Sequence, residues 1–214
     1  MSWTKRYLDK DIRYIGFVDI ETGGHDFDAN QSHLISWVLK RVDLKTGKSK
    51  MIYDVITKKE IDDTNNLLTK KERLRVLQPY DRRLLENLVY EMKKCDMIVG
   101  HYSDYFDVPL VRTRCMMLRI PFIKHEEKIR FGDTWKRARF GMKFIKNGLD
   151  QVGRSFNLPV VKTRFDRWVW DQATYYGKKW ALDEIVDHNI KDVEILYKVF
   201  KIVESNFSIP AKYS

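Results

Sequence analysis

Asp19 and Glu21 stand two apart at the end of a short apolar run, Tyr14 to Ile20. In an extended strand alternate side chains share a face, so both carboxylates point one way while Ile20 packs behind. Two carboxylates converging beside a sheet offer the hard, negative oxygen ligands that a divalent cation takes. The pair alone is a weak signal. Thirty acids in 214 residues give about four acid-x-acid pairs by chance. The chain has five, at 9/11, 19/21, 26/28, 60/62 and 192/194. Only Asp19/Glu21 follows an apolar run, and Thr22-Gly23-Gly24 then breaks the strand and leaves its end open. An acidic strand-to-loop transition with no chemistry accounts for the pair equally well.

Two further elements carry acids worth placing. Val99 to Leu110 reads as strand, loop and helix start. Phe106 can anchor in the core there while Asp107 caps the helix that Pro109 enters. A cap needs no metal, yet it leaves one carboxylate oxygen free. His188 and Asp192 lie four apart on the longest helical pattern and so share a face. Asp192 sits beside the apolar stripe Val193, Leu196, Tyr197, Phe200 and Val203, where it could edge a cleft. A surface His/Asp pair contributing a few tenths of a kcal/mol is the plainer reading.

A basic window lies between Thr134 and Leu149. Lys136, Arg137, Arg139, Lys143 and Lys146 occur there with no acid, and Trp135, Phe140 and Phe144 are interleaved. Aromatic rings stack bases while Lys and Arg track phosphates on single strands. A solvated basic loop with its rings turned inward has the same composition. Lys70, Lys71, Arg73 and Arg75 read as solvated helix surface. Forty Lys and Arg against thirty Asp and Glu leave a net charge of +10, which suits a polyanionic partner.

These groups need a scaffold. Tyr14–Ile20, Leu34–Val42 and Met51–Thr57 read as three strands of an antiparallel meander, with a turn at Lys45-Thr46-Gly47-Lys48. Lys58 to Gln78 reads as a loop with one short helix. Pro79-Tyr80-Asp81 opens a helix, with Asp81 as N-cap and Leu84, Leu85, Leu88, Val89 and Met92 at helical spacing. Met97–Gly100 and Phe131–Thr134 read as strands. Helices follow at Pro109–Leu118, Leu149–Phe156 and Trp180–Ser205. The expectation is a single α/β domain over 1–205, a mixed sheet with helices on its faces, and a tail over 206–214.

Composition excludes several classes. Hydrophobic residues make up 43% and aromatic residues 13%, too many for a disordered chain. No apolar run approaches the ~20 residues of a membrane helix. The charged start, Met1 to Arg13, shows no secretory signal. Cys95 and Cys115 cannot build a disulfide framework, so a reducing compartment is expected.

The order of these motifs resembles the DEDD superfamily of 3′-5′ exonucleases. The first motif is Phe17-Val18-Asp19-Ile20-Glu21-Thr22-Gly23-Gly24. The second runs from Val99-Gly100-His101 through Phe106-Asp107-Val108-Pro109. The third is His188-Asn189-Ile190-Lys191-Asp192-Val193. Within the superfamily the chain looks similar to stand-alone prokaryotic and phage exonuclease domains, related to the proofreading domains of family B polymerases. Asp133-Thr134-Trp135, and Lys162-Thr163 before Phe165 and Trp168, also look like segments of that group. The resemblance implies a ribonuclease H-like fold and two Mg²⁺ or Mn²⁺ ions held by Asp19, Glu21, Asp107 and Asp192. It implies that Asp19 bridges the ions, that Glu21 and Asp192 complete the one holding the attacking water, and that Asp107 supports the other. Two positions depart from the family. Tyr102 stands where members usually carry Asn. His188 has the spacing of the tyrosine-type subgroup, whereas the histidine-type subgroup places its His where this chain has Asp187.

The expected partner is a single-stranded nucleic acid, with DNA 3′ ends foremost, contacted by Lys136, Arg137, Arg139, Lys143, Tyr102 and Phe106. An endonuclease on the same fold and a catalytically inactive nucleic-acid-binding module are the alternatives. The chain is expected to act as a monomer in the cytoplasm, or in a host's cytoplasm were it viral, with no membrane attachment. No protein partner is legible.

Overall fold

Alternation along the first strand decides the layering. β1 (Tyr14–Gly23) sends Ile15 and Phe17 to one face and Val18 and Ile20 to the other, and all four are buried. A strand buried on both faces has to lie inside a sheet with both sides covered. The computed structural model of the chain describes residues 3–8, 10–23, 32–67, 81–159 and 166–206. In it β1 pairs antiparallel with β2 (His33–Asp43), and β2 antiparallel with β3 (Ser49–Val55). On the other side β1 pairs parallel with β4 (Met97–Gly100), and β4 parallel with β5 (Arg130–Asp133). The order is β3-β2-β1-β4-β5, an antiparallel meander extended by parallel strands. This is the mixed sheet read from the sequence, and it is consistent with a ribonuclease H-like fold.

Eight α-helices lie among the described residues: α1 (Trp3–Leu8), α2 (Lys58–Leu67), α3 (Arg82–Met92), α4 (Asp107–Met117), α5 (Thr134–Gly141), α6 (Leu149–Ser155), α7 (Arg167–Thr174) and α8 (Lys179–Asn206). Val18 and Ile20 pack with Leu84, Leu85 and Leu88 of α3 and with Leu110 and Val111 of α4. Ile15, Phe17 and Val38 pack with Val193, Leu196 and Phe200 of α8 on the opposite face. None of the described helices is long and apolar enough to cross a membrane.

Three helices escape the sequence pattern. α1 and α7 are six and eight residues long, too short for periodicity to declare itself. α5 falls in the window read as a basic path. It buries only Thr134 and Ala138, so it carries no apolar stripe, and its start is set by the Asp133 cap. The helix expected after Pro79-Tyr80-Asp81 is α3, with Leu84, Leu85, Leu88, Val89 and Met92 buried as their spacing implies. Pro79, Tyr80, the basic run Lys70 to Arg75 and most of the expected tail lie outside the described residues. α8 continues to Asn206, one residue into that tail.

Asp81 corrects a second expectation. It occupies the N-cap position of α3, but its side chain makes no capping hydrogen bond. Its carboxylate is buried, accepting from Arg114 Nε at 2.9 Å and Nη2 at 2.5 Å and from the Leu34 backbone N–H at 2.9 Å. A local cap has been exchanged for a tertiary anchor that ties α3, α4 and the start of β2 together.

His33 stands at that same start. A Cβ on Gly23 would come 3.1 Å from its imidazole, so the ring fills the space that glycine leaves. Burial pushes its pKa down to about 4, with the nearby Arg114 acting in the same direction and Asp81 against it. The unfolded chain takes up this proton near 6.5 and the folded chain resists it. His33 by itself is therefore expected to contribute a loss of about 3 kcal/mol as pH drops from 6.5 towards 4. Urea unfolding of wild type and His33→Gln at pH 7 and pH 4.5 isolates that contribution: on acidification the stability of the variant should change more favourably than that of wild type, by about this amount. Equal losses in wild type and variant would assign the acid sensitivity to other groups.

Candidate active site

The site is assembled by β1 and α8 running in opposite directions. Phe17 packs edge-on against Tyr197 and Phe200 at 5.1 and 5.0 Å between ring centroids. From that contact four strand residues reach Glu21, a climb of about 13 Å. Nine helical residues back from Tyr197 reach His188, about 14 Å. The two paths match, and His188 Nε2 lies 3.9 Å from Glu21 Oε1 and 3.5 Å from Asp192 Oδ2. Asp19, on the same strand face as Phe17 and Glu21, feels the charge of Asp192 across the gap.

Asn189 holds this level of the helix in place. It is fully buried and reaches Ser36 Oγ on β2 at 3.5 Å. Ser36 is the ladder partner of Glu21, and the register shifts immediately afterwards, between Glu21 and Thr22. A bulge at that point re-aims the strand end. Pairing resumes at Thr22 with Leu34 and Gly23 with His33, so the strand continues through Thr22 and Gly23, where the sequence predicts a break. Sequence reasoning missed Asn189. A polar residue between the buried apolar positions of a helix is the signal that could have flagged it.

Asp107 reaches the site from the far side of β1. It is not the N-cap of α4. Phe106 takes that position, and Asp107 is the first helical residue, with its side chain buried. Hydrogen bonds with its own backbone and that of Ile20 favour its charged form, but burial outweighs them and, with Asp133, raises its pKa to about 7. The Ile20 contact places it against β1 between Asp19 and Glu21. Phe106 itself is half-buried and packs on the core, which gives it the anchoring role more than a strand-binding one.

The carboxylates perturb one another. Burial and then Glu21, Asp107 and Asp192 push Asp19 well above the ordinary carboxylate range. Burial, then Asp192 and Asp107, raise Glu21 to about 8. Asp19, Glu21, Asp107 and Asp192 therefore form one electrostatic cluster of like charges, a donor set of hard oxygens suited to Mg²⁺ or Mn²⁺. Among the described residues, no three His, Cys, Asp or Glu side chains close to the spacing of a single ion's coordination shell. The four acids converge on one end of the sheet without closing on a point.

Asp133 organises the neighbouring wall. Its carboxylate accepts from Trp135 N at 2.8 Å, Tyr102 N at 2.9 Å and Asp104 N at 3.1 Å. One side chain thus caps α5 and holds the loop that leads to Asp107. Within that loop Tyr102 has φ +64°, a left-handed conformation that tyrosine seldom adopts. His101 is tied at both ring nitrogens, to Thr134 Oγ1 at 2.9 Å and to the Asn147 carbonyl at 2.7 Å. That makes it a brace between β4, α5 and the following loop.

The basic window divides. Tyr102 stacks on Tyr105 at 5.1 Å, Trp135 meets Tyr102 edge-on at 5.0 Å, and Phe140 continues the row at 6.3 Å. Tyr102, Tyr105 and Phe140 are exposed. Lys136 lies beside this row, 2.6 Å from Asp104 and 5.3 Å from the Tyr105 ring. Arg139 and Lys143 are exposed. Arg137 is not available to a phosphate: it pairs at 3.1 Å with the buried Glu204 and fastens α5 to α8. Phe144 turns inward against Phe156 at 6.0 Å. Lys162, Thr163 and Phe165 lie outside the described residues.

No family model and no curated protein matches the chain. Among solved structures it is similar to the family B DNA polymerase from the hyperthermophilic archaeon Pyrobaculum calidifontis. The TM-score is 0.61 at 16% identity, over 89% of this chain and 24% of that one. At that identity the likeness shows the fold alone, and the chain spans about a quarter of the polymerase's length.

Proposed function

We propose that this chain is a metal-dependent nuclease, a 3′-5′ exonuclease that removes nucleotides from single-stranded ends. The observation that carries the reading is the convergence of Asp19, Glu21, Asp107 and Asp192 at one end of the sheet, with Asp19, Glu21 and Asp107 raised by burial and by the neighbouring carboxylates. The fold likeness to a DNA polymerase and the basic, aromatic wall beside the acids support it. Two divalent cations held by these four carboxylates would supply a nucleophilic oxygen at neutral pH and relieve charge at phosphorus. His188 Nε2, 3.9 Å from Glu21 and 3.5 Å from Asp192, would orient the attacking water and take its proton. Tyr102, Tyr105 and Trp135 offer ring faces to the terminal bases, and Lys136, Arg139 and Lys143 offer charge to the backbone.

The test is direct. Protein stripped with EDTA should leave a 3′-labelled oligonucleotide intact, and Mg²⁺ or Mn²⁺ should restore hydrolysis of linear single strands. Circular single-stranded DNA should resist. Cleavage of the circle would replace the exonuclease with an endonuclease, and binding without cleavage would leave an inactive binding module.

The same cluster carries a stability prediction. Glu21 near 8 and Asp107 near 7 are both raised above their unfolded values. The folded protein binds more protons than the unfolded chain between about pH 4.5 and 8, so in EDTA stability should decline as pH rises through that window. Thermal melts at pH 6.5 and 8 record this, over a range above the His33 transition. At pH 8, millimolar Mg²⁺ or Mn²⁺ should raise the midpoint, because the cations bind the folded state alone. A midpoint indifferent to both pH and cation would remove the ground for a metal centre.

A further inference from the structure

A second aromatic surface lies where α7 meets α8. Trp168 and Trp180 stack with ring centroids 5.0 Å apart and planes 29° from parallel. They are 58% and 40% exposed, and Tyr175 and Tyr176 between them are 55% and 57% exposed. Large rings left in water in such numbers mark a binding surface more often than a solvated one. Lys178 and Lys179 are exposed in the same segment; Lys179 pairs with Asp183 at 2.6 Å, which leaves Lys178 as the positive charge set beside the rings.

Its position relates it to the acids. Thr174, at the end of α7, lies so close to Gly23 that a Cβ there would stand 2.7 Å from its methyl group. Gly23 is two residues beyond Glu21 on β1. Trp180 precedes His188 by eight residues on α8, a rise of about 12 Å. The surface therefore flanks this end of the sheet from the α7–α8 side, whereas Tyr102, Tyr105 and Trp135 flank it from the α4–α5 side.

We infer that Trp168, Tyr175, Tyr176 and Trp180, with Lys178, form a remote binding site for single-stranded nucleic acid, which holds unpaired nucleotides several positions from the bond to be cut. The inference rests on the nuclease reading of the acids. Its chemistry is the match of ring faces to bases and of an ammonium group to phosphate, a combination that an apolar protein patch would not require. A strand anchored there stays bound between successive cleavages.

Fluorescence anisotropy in EDTA with labelled dT4 and dT20 tests it, alongside the rate of end-digestion in Mg²⁺. Trp168→Ala with Trp180→Ala should weaken dT20 binding roughly 10-fold to 100-fold, since each stacked base contributes about 1–3 kcal/mol. Binding of dT4, too short to span both walls, should stay within about twofold. Trp168→Phe with Trp180→Phe, which keeps the ring faces, should retain most of the dT20 affinity, and Lys178→Gln should flatten its salt dependence. Unchanged dT20 binding by a folded alanine variant that still digests ends would overturn the remote site and leave the nuclease standing. So would equal losses for dT4 and dT20. A wild-type protein that neither binds nor digests any strand would overturn both readings.

Discussion

Asp19→Asn is expected to reduce hydrolysis roughly 10³-fold or more while the protein folds at least as well as wild type. The first half follows from position. Asp19 feels Glu21, Asp107 and Asp192 together, so it sits centrally among the acids. Removing the charge of a carboxylate at the centre of a two-cation site takes away several kcal/mol of transition-state stabilisation, and each 1.36 kcal/mol is tenfold in rate. The second half follows from the same electrostatics. Asn has nearly the shape of Asp but carries no charge, so the variant loses repulsion that the folded state endures. In EDTA at pH 8 its melting midpoint should lie above that of wild type, and the gain from Mg²⁺ should shrink. Hydrolysis within tenfold of wild type at saturating Mg²⁺, from a variant with normal melting, would sink the metal-cluster reading.

The largest effect on stability is expected from Arg114→Met, a loss of about 3–5 kcal/mol. Arg114 and Asp81 are 1% and 0% exposed at their side chains. Forming such a pair gains little over apolar residues of the same volume, because desolvation offsets attraction. Breaking it is another matter, since Asp81 would keep its burial and lose both guanidinium hydrogen bonds. In a domain whose whole stability is typically about 5–15 kcal/mol, that loss should be plain in urea unfolding. Asp81→Asn in the Arg114→Met background should recover part of it, because Asn leaves no buried charge and can still accept from the Leu34 N–H. A single variant as stable as wild type would mean that Asp81 takes up a proton or finds water more readily than its burial suggests. The variant should also slow catalysis, since Asp81 fixes the start of β2 and β2 carries Ser36 opposite Glu21.

Asp107 and Asp81 illustrate how a local reading and a tertiary one exchange places. Each stands at a helix start, where an acid is favoured by the N–H groups of the first turn. Neither caps its helix. Asp107 is drawn one position inward, against β1, and Asp81 is spent on a guanidinium 33 residues away in the chain. Asp133, by contrast, does cap, and it also binds the loop carrying Tyr102. Composition around the three aspartates does not separate these outcomes, because the partners lie on other elements.

What this chain's sequence determined by itself was everything with a short period or a tight spacing. The alternation in β1, the turn around Gly47, the stripe on α8 and the two-residue and four-residue intervals of Asp19/Glu21 and His188/Asp192 are local, and backbone geometry converts each into a face. The mixed sheet with helices on both sides follows from those faces. Tertiary structure alone decided which faces meet. Two antiparallel paths of nearly equal length set Glu21 against His188, Arg137 was turned from a phosphate contact into the partner of Glu204, and Trp168 was stacked on Trp180. Those outcomes depend on distances between residues far apart in sequence, and burial, which raises the pKa values of Asp19, Glu21 and Asp107, exists only once the chain has closed around them.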